Sequence, residues 1–412
     1  MELYIAEKPS VGRTIASVIG ANERRDGYWE GNGRLVSWCI GHLVALAIPE
    51  AYRSDYQRWR YSDLPILPEK WQYTVVAETK KQFELLRRLM NDSRVTSLVC
   101  ATDAGREGEL IFRYLYHYIG CTTPFVRLWI SSLTDKAIRE GLRNLEEGSK
   151  YDNLYLAAKA RSESDWLVGI NGTQALSIAA GHGTYSVGRV QTPTLAMVCA
   201  RYWENRRFTV EPFWQLHIAA DGGDGDTVKF SSTGKWKEME PATVLYNKVK
   251  ETGTATVTKV ERKEKIEETP LLYDLTTLQK EANAKHGFTA EQTLEIAQKL
   301  YEKKLITYPR TGSRYIPEDV FAEIPKLLAF IGSLPEWKDK LQPKAVPTRR
   351  SLDGGKVTDH HALLVTGEKP LFLSKEDSTV YHMIVGRMLE AFSEKCVKDT
   401  ATVTAECAGV EF

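Results

Sequence analysis

With 412 residues, 42% of them hydrophobic and 26% charged, the chain can bury a large core and divides by length into about two to four domains. A formal net charge of +1 excludes a uniformly basic coat for nucleic acid but not a local basic groove, because binding follows local charge. The acidic start Met1-Glu2-Leu3 lacks the basic opening of a secretory leader, no apolar run reaches the roughly 18 residues of a membrane span, and the six cysteines form no Cys-x-x-Cys pair, so a cytoplasmic chain with reduced thiols is expected.

Leu3–Ala6 reads as a short buried strand, Glu7-Lys8-Pro9-Ser10 as the turn after it, and Ser10 as the cap of a helix running to about Gly20. Glu7 and Lys8 then sit at a strand's C-terminal end, where open α/β sheets place their ligands. Leu35–Ile40 is a second apolar strand, leading into Gly41-His42-Leu43, and Trp71–Val76 a further extended segment. Between them a Tyr-, Arg- and Trp-rich connection with Pro65 and Pro68 reads as a surface excursion. Lys80 to about Met90 has helical apolar spacing, and the alternation of strand with helix predicts a parallel sheet.

Ser97–Ala101 is a strand that runs into Thr102-Asp103-Ala104-Gly105-Arg106-Glu107-Gly108-Glu109 and then a helix, Leu110 to about Ile119. Acids at 103 and 107 on such a turn can converge on one cation, and hard oxygen ligands suit Mg²⁺ better than zinc. The same acids also complement a helix dipole, so the pattern alone leaves both roles open. Gly105 and Gly108 are expected to let the backbone fold tightly there. Val126–Ile130 gives one more strand, Thr134–Leu145 a helix, Glu146–Lys150 a boundary and Tyr151 to about Ile178 a long helix on which Arg161 and Asp165 share a face. Gly181–Pro193 is a glycine-punctuated loop feeding a helix, and its Arg189 beside backbone amides makes a seat for a backbone phosphate. No Gly-x-x-x-x-Gly-Lys-Ser/Thr occurs, so nothing points to ATP.

From Phe213 onward Trp214–Ile218, Thr227–Phe230 and Thr254–Val260 are strand-like, separated by Asp221–Gly225, and the alternating segment Ala401–Phe412 reads as a strand at which the chain stops in mid-domain. Thr289-Ala290-Glu291-Gln292 is a capping box that opens a helix to Lys304. Beyond it lies Thr307-Tyr308-Pro309-Arg310-Thr311-Gly312-Ser313-Arg314, where Pro309 ends helical geometry and biases Tyr308 toward an extended conformation. Arg310 and Arg314 carry guanidinium forks of the kind that grip phosphate and stabilise charge at an attacked phosphodiester.

In their order, Glu7-Lys8-Pro9-Ser10, Ile40-Gly41-His42-Leu43, Asp103-x-Gly105-Arg106-Glu107-Gly108-Glu109, Ser186-Val187-Gly188-Arg189-Val190-Gln191-Thr192-Pro193, Leu271–Gln279, Thr307-Tyr308-Pro309-Arg310-Thr311 and Asp359-His360-His361-Ala362 resemble the motifs of type IA DNA topoisomerases, and among these topoisomerase III, with its TOPRIM domain. The resemblance covers essentially the whole chain. It implies a multidomain toroidal architecture of α/β, α and β parts. These are a Rossmann-like parallel sheet in a TOPRIM domain (1–150), a helical groove domain for single-stranded DNA (151–210), a β-rich arch (211–270 with 395–412) and a helical insertion carrying the tyrosine (271–394).

The resemblance further implies that Tyr308 attacks a phosphodiester to form a 5′-phosphotyrosyl link without ATP, assisted by Arg310, Glu7 and Lys8. Mg²⁺ is implied on Asp103, Glu107 and Glu7, and Arg161, Asp165, Ser186, Arg189, Gln191, Arg314 and His360 are implied to meet DNA. The partners implied are single-stranded, negatively supercoiled or catenated DNA and a helicase or single-strand-binding protein, with the enzyme a nucleoid-associated monomer. Two departures stand out: Gly105 replaces the middle acid of Asp-x-Asp-x-Glu, and Gly312 stands where relatives can have aspartate. Without the tyrosine the same acids would suit a TOPRIM primase or nuclease, and a shortened chain could do no more than bind single strands.

Overall fold

Four apolar runs form the parallel middle of a seven-stranded sheet in the computed structural model, which describes residues 1–130, 133, 135–221, 225–340, 347–357 and 360–412. Thr134, residues 222–224 and Asp359, on which readings above fall, lie outside the described residues. The strands are β1 (Glu2–Ala6), β2 (Glu23–Arg25), β3 (Tyr28–Gly31), β4 (Arg34–Trp38), β7 (Ser97–Ala101), β8 (Phe125–Arg127) and β9 (Glu146–Glu147), in the order β2-β3-β4-β1-β7-β8-β9. β1 lies parallel to β4 and to β7, and β7 parallel to β8.

The sheet is not parallel throughout, as strand–helix alternation had suggested. Tight turns at Asp26-Gly27 and Asn32-Gly33, with positive φ at Gly27, Asn32 and Gly33, join β2, β3 and β4 as antiparallel hairpins, and β9 pairs antiparallel with β8. Two-residue connections leave no room for the crossover that a parallel neighbour needs.

Both faces of the sheet are covered, which explains why its central strands are apolar at successive positions. Leu3 and Ile5 of β1 pack with α3 (Lys80–Met90) and α4 (Arg106–Ile119), while Tyr4 and Ala6 pack with α1 (Pro9–Ile19) and Ile138 of α5 (Asp135–Arg143). Lys8 holds the N-cap position of α1 without a side-chain cap bond, and Pro9 opens the first turn, so Ser10 is inside the helix rather than its cap; proline suits that place because it has no amide to leave unpaired. β5 (Val44–Leu46) and β6 (Tyr73–Val75) form a separate two-stranded sheet. The excursion between them includes α2 (Pro49–Tyr52) and is tied to α6 (Asp152–Ala180): Trp166 Nε1 donates to the Ala47 carbonyl at 2.9 Å, and the Asn171 amide meets both the N–H and the carbonyl of Ile66.

Packing divides the chain into two compact units, Met1–Pro193 with Pro270–Ser393, and Thr194–Thr269 with Glu394–Phe412. The first unit also contains a helical core formed by α9 (Leu275–His286), α10 (Ala290–Glu302), α11 (Glu318–Phe321), α12 (Ile324–Ser333) and α13 (Lys375–Ala391), with Leu278, Leu300, Ile384 and Met388 fully buried. α7 (Gln191–Arg206) begins at the boundary.

In the second unit β10 (His217–Asp221) pairs with β11 (Thr227–Ser231), and the long β12 (Thr256–Glu267) with β13 (Cys396–Cys407), to which β14 (Val410–Glu411) adds. A 14-residue helix, α8 (Met239–Thr252), interrupts this stretch read as β-rich, with Pro241 in its first turn and Gly253 closing it in the left-handed conformation. Those two residues are ordinary helix punctuation that strand-like neighbours obscured. No helix among the described residues is long and apolar enough to cross a membrane.

Candidate active site

The tyrosine segment is held at both ends. α10 starts at the expected capping box, in which Thr289 and Gln292 bond each other's backbone amides, and ends at Glu302, two residues sooner than the sequence suggested. Lys304 then takes a left-handed conformation with φ 61°, and the amides of Lys304 and Leu305 bond back to the carbonyls of Tyr301 and Leu300 at 2.8 and 2.9 Å. This reversal sends the chain out in extended form: Ile306 bridges Val365, the Thr307 amide donates to the Leu364 carbonyl at 2.9 Å, and Thr311 Oγ1 donates to the His360 carbonyl at 2.8 Å. Tyr308 lies half-buried between the two threonine anchors.

Around Tyr308 the structure assembles residues from opposite ends of the chain. Lys8 Nζ stands 4.0 Å over the centroid of its ring, and the rings of His360 and Tyr301 are 4.5 and 5.3 Å away, centre to centre. Lys8 also pairs with Asp103 Oδ2 at 3.0 Å and Glu7 Oε1 at 3.5 Å. His360 Nε2 faces the same Asp103 oxygen at 3.1 Å and so donates to it, and the Asp103 amide donates to Glu7 Oε2 at 3.2 Å. Ala6 and Ala101 pair across β1 and β7, which brings Glu7 beside Asp103 at neighbouring strand ends.

Burial of both carboxylates sharpens their opposition. Burial and the charge of Asp103 push Glu7 above the usual carboxylate range. Burial alone would raise Asp103 too, but the His360 and Lys8 contacts outweigh it and hold that carboxyl down to about 2. Lys8 is likewise pulled both ways: burial disfavours its charge, and Asp103 and Glu7 overcome this to push its pKa up.

The Asp103 turn is fixed from below. Gly108 is required by space, since a Cβ there would lie 2.2 Å from the Asp103 carbonyl oxygen; Gly105, with φ −167°, adopts an extended backbone open to any residue. Gly108→Ala is therefore expected to lose about 2–4 kcal/mol of stability, checked by urea denaturation, and to displace Asp103.

Several expected site residues stand elsewhere. Glu107 does not join Glu7 and Asp103: its Oε1 is 2.6 Å from His42 Nε2, and that hydrogen bond turns it aside and lowers its pKa. Among the described residues no three acidic, histidine or cysteine side chains are grouped to hold a metal. Arg314 donates from Nε to the Leu272 carbonyl at 3.1 Å and from Nη2 to the Leu271 carbonyl at 3.4 Å, which leaves three of its five N–H donors for another partner. Arg310 is exposed and without a hydrogen bond or ion pair among the described residues.

Arg161 and Asp165 lie on α6, Ser186 and Arg189 on the loop after it, and Gln191 opens α7. Arg189 Nε meets Asp165 Oδ1 at 2.5 Å, Arg161 approaches Asp165 at 3.9 Å, and Gln191 Nε2 donates to Ser186 Oγ at 2.8 Å. Arg161 and Asp165 are close enough to act on the charge of Glu107, Arg161 lowering its pKa and Asp165 raising it.

Three further residues with contacts at or beside the site, His42, Tyr301 and Arg127, are not among those the motifs single out as site residues. His42 sits in a noted motif but carries no metal-ligand spacing, and Tyr301 looks like any amphipathic helix residue. Arg127 had a visible signal, a cation inside an apolar strand. It is fully buried, with Nη1 donating to the carbonyls of Cys100, Thr102 and Leu128, Nη2 to that of Asp103 at 2.6 Å, and Nε 3.1 Å from the buried Glu109.

A sheet with acids at adjacent strand ends is the arrangement of a Toprim domain, and the Toprim domain model matches residues 2–133. Residues 149–412 match the DNA topoisomerase family model, so the chain belongs to the DNA topoisomerase family, in its type IA, topoisomerase III-like branch. The protein named DNA topoisomerase 3 of Shouchella clausii is 40% identical over 98% of this chain and 56% of its own length, and that of Bacillus subtilis 39% identical over 100% and 57%. The chain thus spans a little over half the length of the curated relatives it matches. Full-length topoisomerase I from Thermotoga maritima shares the fold, with a TM-score of 0.66 at 21% identity over 99% of this chain and 64% of that one.

Proposed function

We propose that this chain carries the cleavage centre of a type IA DNA topoisomerase, ATP-independent and acting on single-stranded regions to relax negative supercoils or decatenate DNA. The observation that carries the reading is the placement of Lys8 against both the Tyr308 ring and the Asp103 carboxylate, with Glu7 and His360 beside them. The Tyr308 oxygen attacks phosphorus and gives up its proton to water, while the bond from phosphorus to the 3′-oxygen breaks. Glu7, whose raised pKa favours the protonated form, donates to the leaving oxygen and takes the proton back on resealing. Lys8 and the exposed Arg310 balance charge on the phosphate, and the phosphotyrosyl bond conserves the energy of the broken one.

Asp103 fits a hard divalent cation, with Glu7 beside it as a second carboxylate ligand once it has given up its proton; Glu107 joins them on release from His42. Mg²⁺ held there would add positive charge at the scissile phosphate. Residues 1–150 form the Toprim part, 151–210 with Arg161, Asp165, Ser186, Arg189 and Gln191 the strand groove, 211–270 with 395–412 the arch, and 271–394 the tyrosine part. The enzyme acts as a monomer at the nucleoid, with a helicase or single-strand-binding protein supplying exposed strands.

Incubation with an end-labelled single-stranded oligonucleotide and Mg²⁺ tests this reading. A denaturant-resistant conjugate that keeps a 3′ label, with a free 3′-hydroxyl fragment released, is expected. Cleavage without a conjugate would instead indicate a Toprim nuclease, and cleavage without plasmid relaxation would limit this chain to the cutting step.

Glu7→Gln separates function from stability. Conjugate formation is expected to fall about 10²–10⁴-fold with loss of the proton donor. Thermal stability at neutral pH should rise. A carboxyl whose folded pKa is raised binds its proton more tightly in the folded state, so the native chain loses stability as pH climbs from the ordinary carboxylate range through the raised value, and the glutamine variant does not. Melting temperatures of the two proteins across that range check the sign.

A further inference from the structure

Tyr301 touches the nucleophile and has no part in the chemistry just described. Its ring meets that of Tyr308 edge-on, at an interplanar angle of 72° and 5.3 Å between centroids, and its hydroxyl is 3.4 Å from Ser10 Oγ. The other two neighbours of the Tyr308 ring, Lys8 and His360, both bind Asp103 and must redistribute their contacts when an anionic phosphate arrives. Tyr301 is uncharged and anchored differently. It lies in the last turn of α10, its carbonyl accepts the Lys304 amide that begins the chain reversal, and its ring packs on the helical core.

We propose that Tyr301 is a positioning residue for Tyr308: its ring edge holds the plane of the attacking phenol while the charged neighbours change partners. The proposal rests on Tyr308 being the nucleophile. Ring–ring contacts of this geometry are directional, so an aliphatic side chain of equal bulk fills the space without fixing the plane. The contact with Ser10, at the long limit of a hydrogen bond, contributes little by comparison.

The test compares Tyr301→Met and Tyr301→Phe with the unaltered full chain in single-turnover conjugate formation on a single-stranded oligonucleotide. Tyr301→Met should be about tenfold or more slower at saturating oligonucleotide, as expected for a misplaced attacking group, with affinity within about twofold. Tyr301→Phe should stay within about threefold of the unaltered rate, because the ring edge remains. Tyr301→Leu provides a second aliphatic variant if the methionine form melts early.

An aliphatic variant that conjugates as fast as the unaltered chain would overturn the proposal. So would a phenylalanine variant as slow as the methionine one, which would move the effect to the hydroxyl and Ser10. Both results leave Tyr308 as nucleophile, whereas failure of the unaltered chain to form any conjugate overturns both readings.

Discussion

Tyr308→Phe is expected to abolish the denaturant-resistant conjugate with single-stranded DNA entirely, while oligonucleotide affinity and melting temperature stay close to those of the unaltered chain. The substitution removes one oxygen from a half-buried ring whose neighbours, Lys8, His360 and Tyr301, contact its face and edges. Shape and packing survive, and the atom that forms the bond to phosphorus does not. No other described phenol has Lys8 over its ring: the Tyr301 hydroxyl lies near Ser10 instead. The loss should therefore have no residual adduct at a neighbouring tyrosine, as read by denaturing electrophoresis of a 3′-labelled oligonucleotide.

Arg127→Met is expected to cost about 3–5 kcal/mol of stability, the largest such effect in the Toprim part. The guanidinium is fully buried, four backbone carbonyls accept from it, and it stands charge to charge with Glu109, itself fully buried. Removing it leaves those carbonyls short of a donor and Glu109 with Arg113 alone, at 2.8 Å. Urea denaturation should show the loss, and adding Glu109→Gln should recover part of it because the stranded charge goes with it. The Asp103 carbonyl is one of the four acceptors, so conjugate formation should fall as well.

Much of this was legible in the chain itself. Apolar runs at Leu3–Ala6 and Ser97–Ala101 marked buried parallel strands, and the acids after each were placed at strand ends by that assignment alone. The capping box before Tyr308 and the proline after it likewise fixed where a helix starts and where it cannot continue. Side-chain direction was not legible. Glu107 was grouped with Asp103 by spacing, but His42, more than sixty residues away in the chain, sets where it points. A guanidinium's partners are likewise not written in its neighbours: Arg314 reads as a phosphate ligand, and nothing near it in the chain shows that it also donates to two carbonyls near position 271. The α8 helix is hidden in the sequence because the stretches on both sides of it are strand-like and only Pro241 and Gly253 punctuate its ends.

Peptide mapping of the trapped conjugate by mass spectrometry tests most directly whether Tyr308 is the nucleophile. A nucleotide 5′-phosphate is expected on the peptide that contains Thr307-Tyr308-Pro309, with fragmentation placing the mass on Tyr308. Attachment at any other residue, or cleavage that leaves the protein unmodified, would contradict that role.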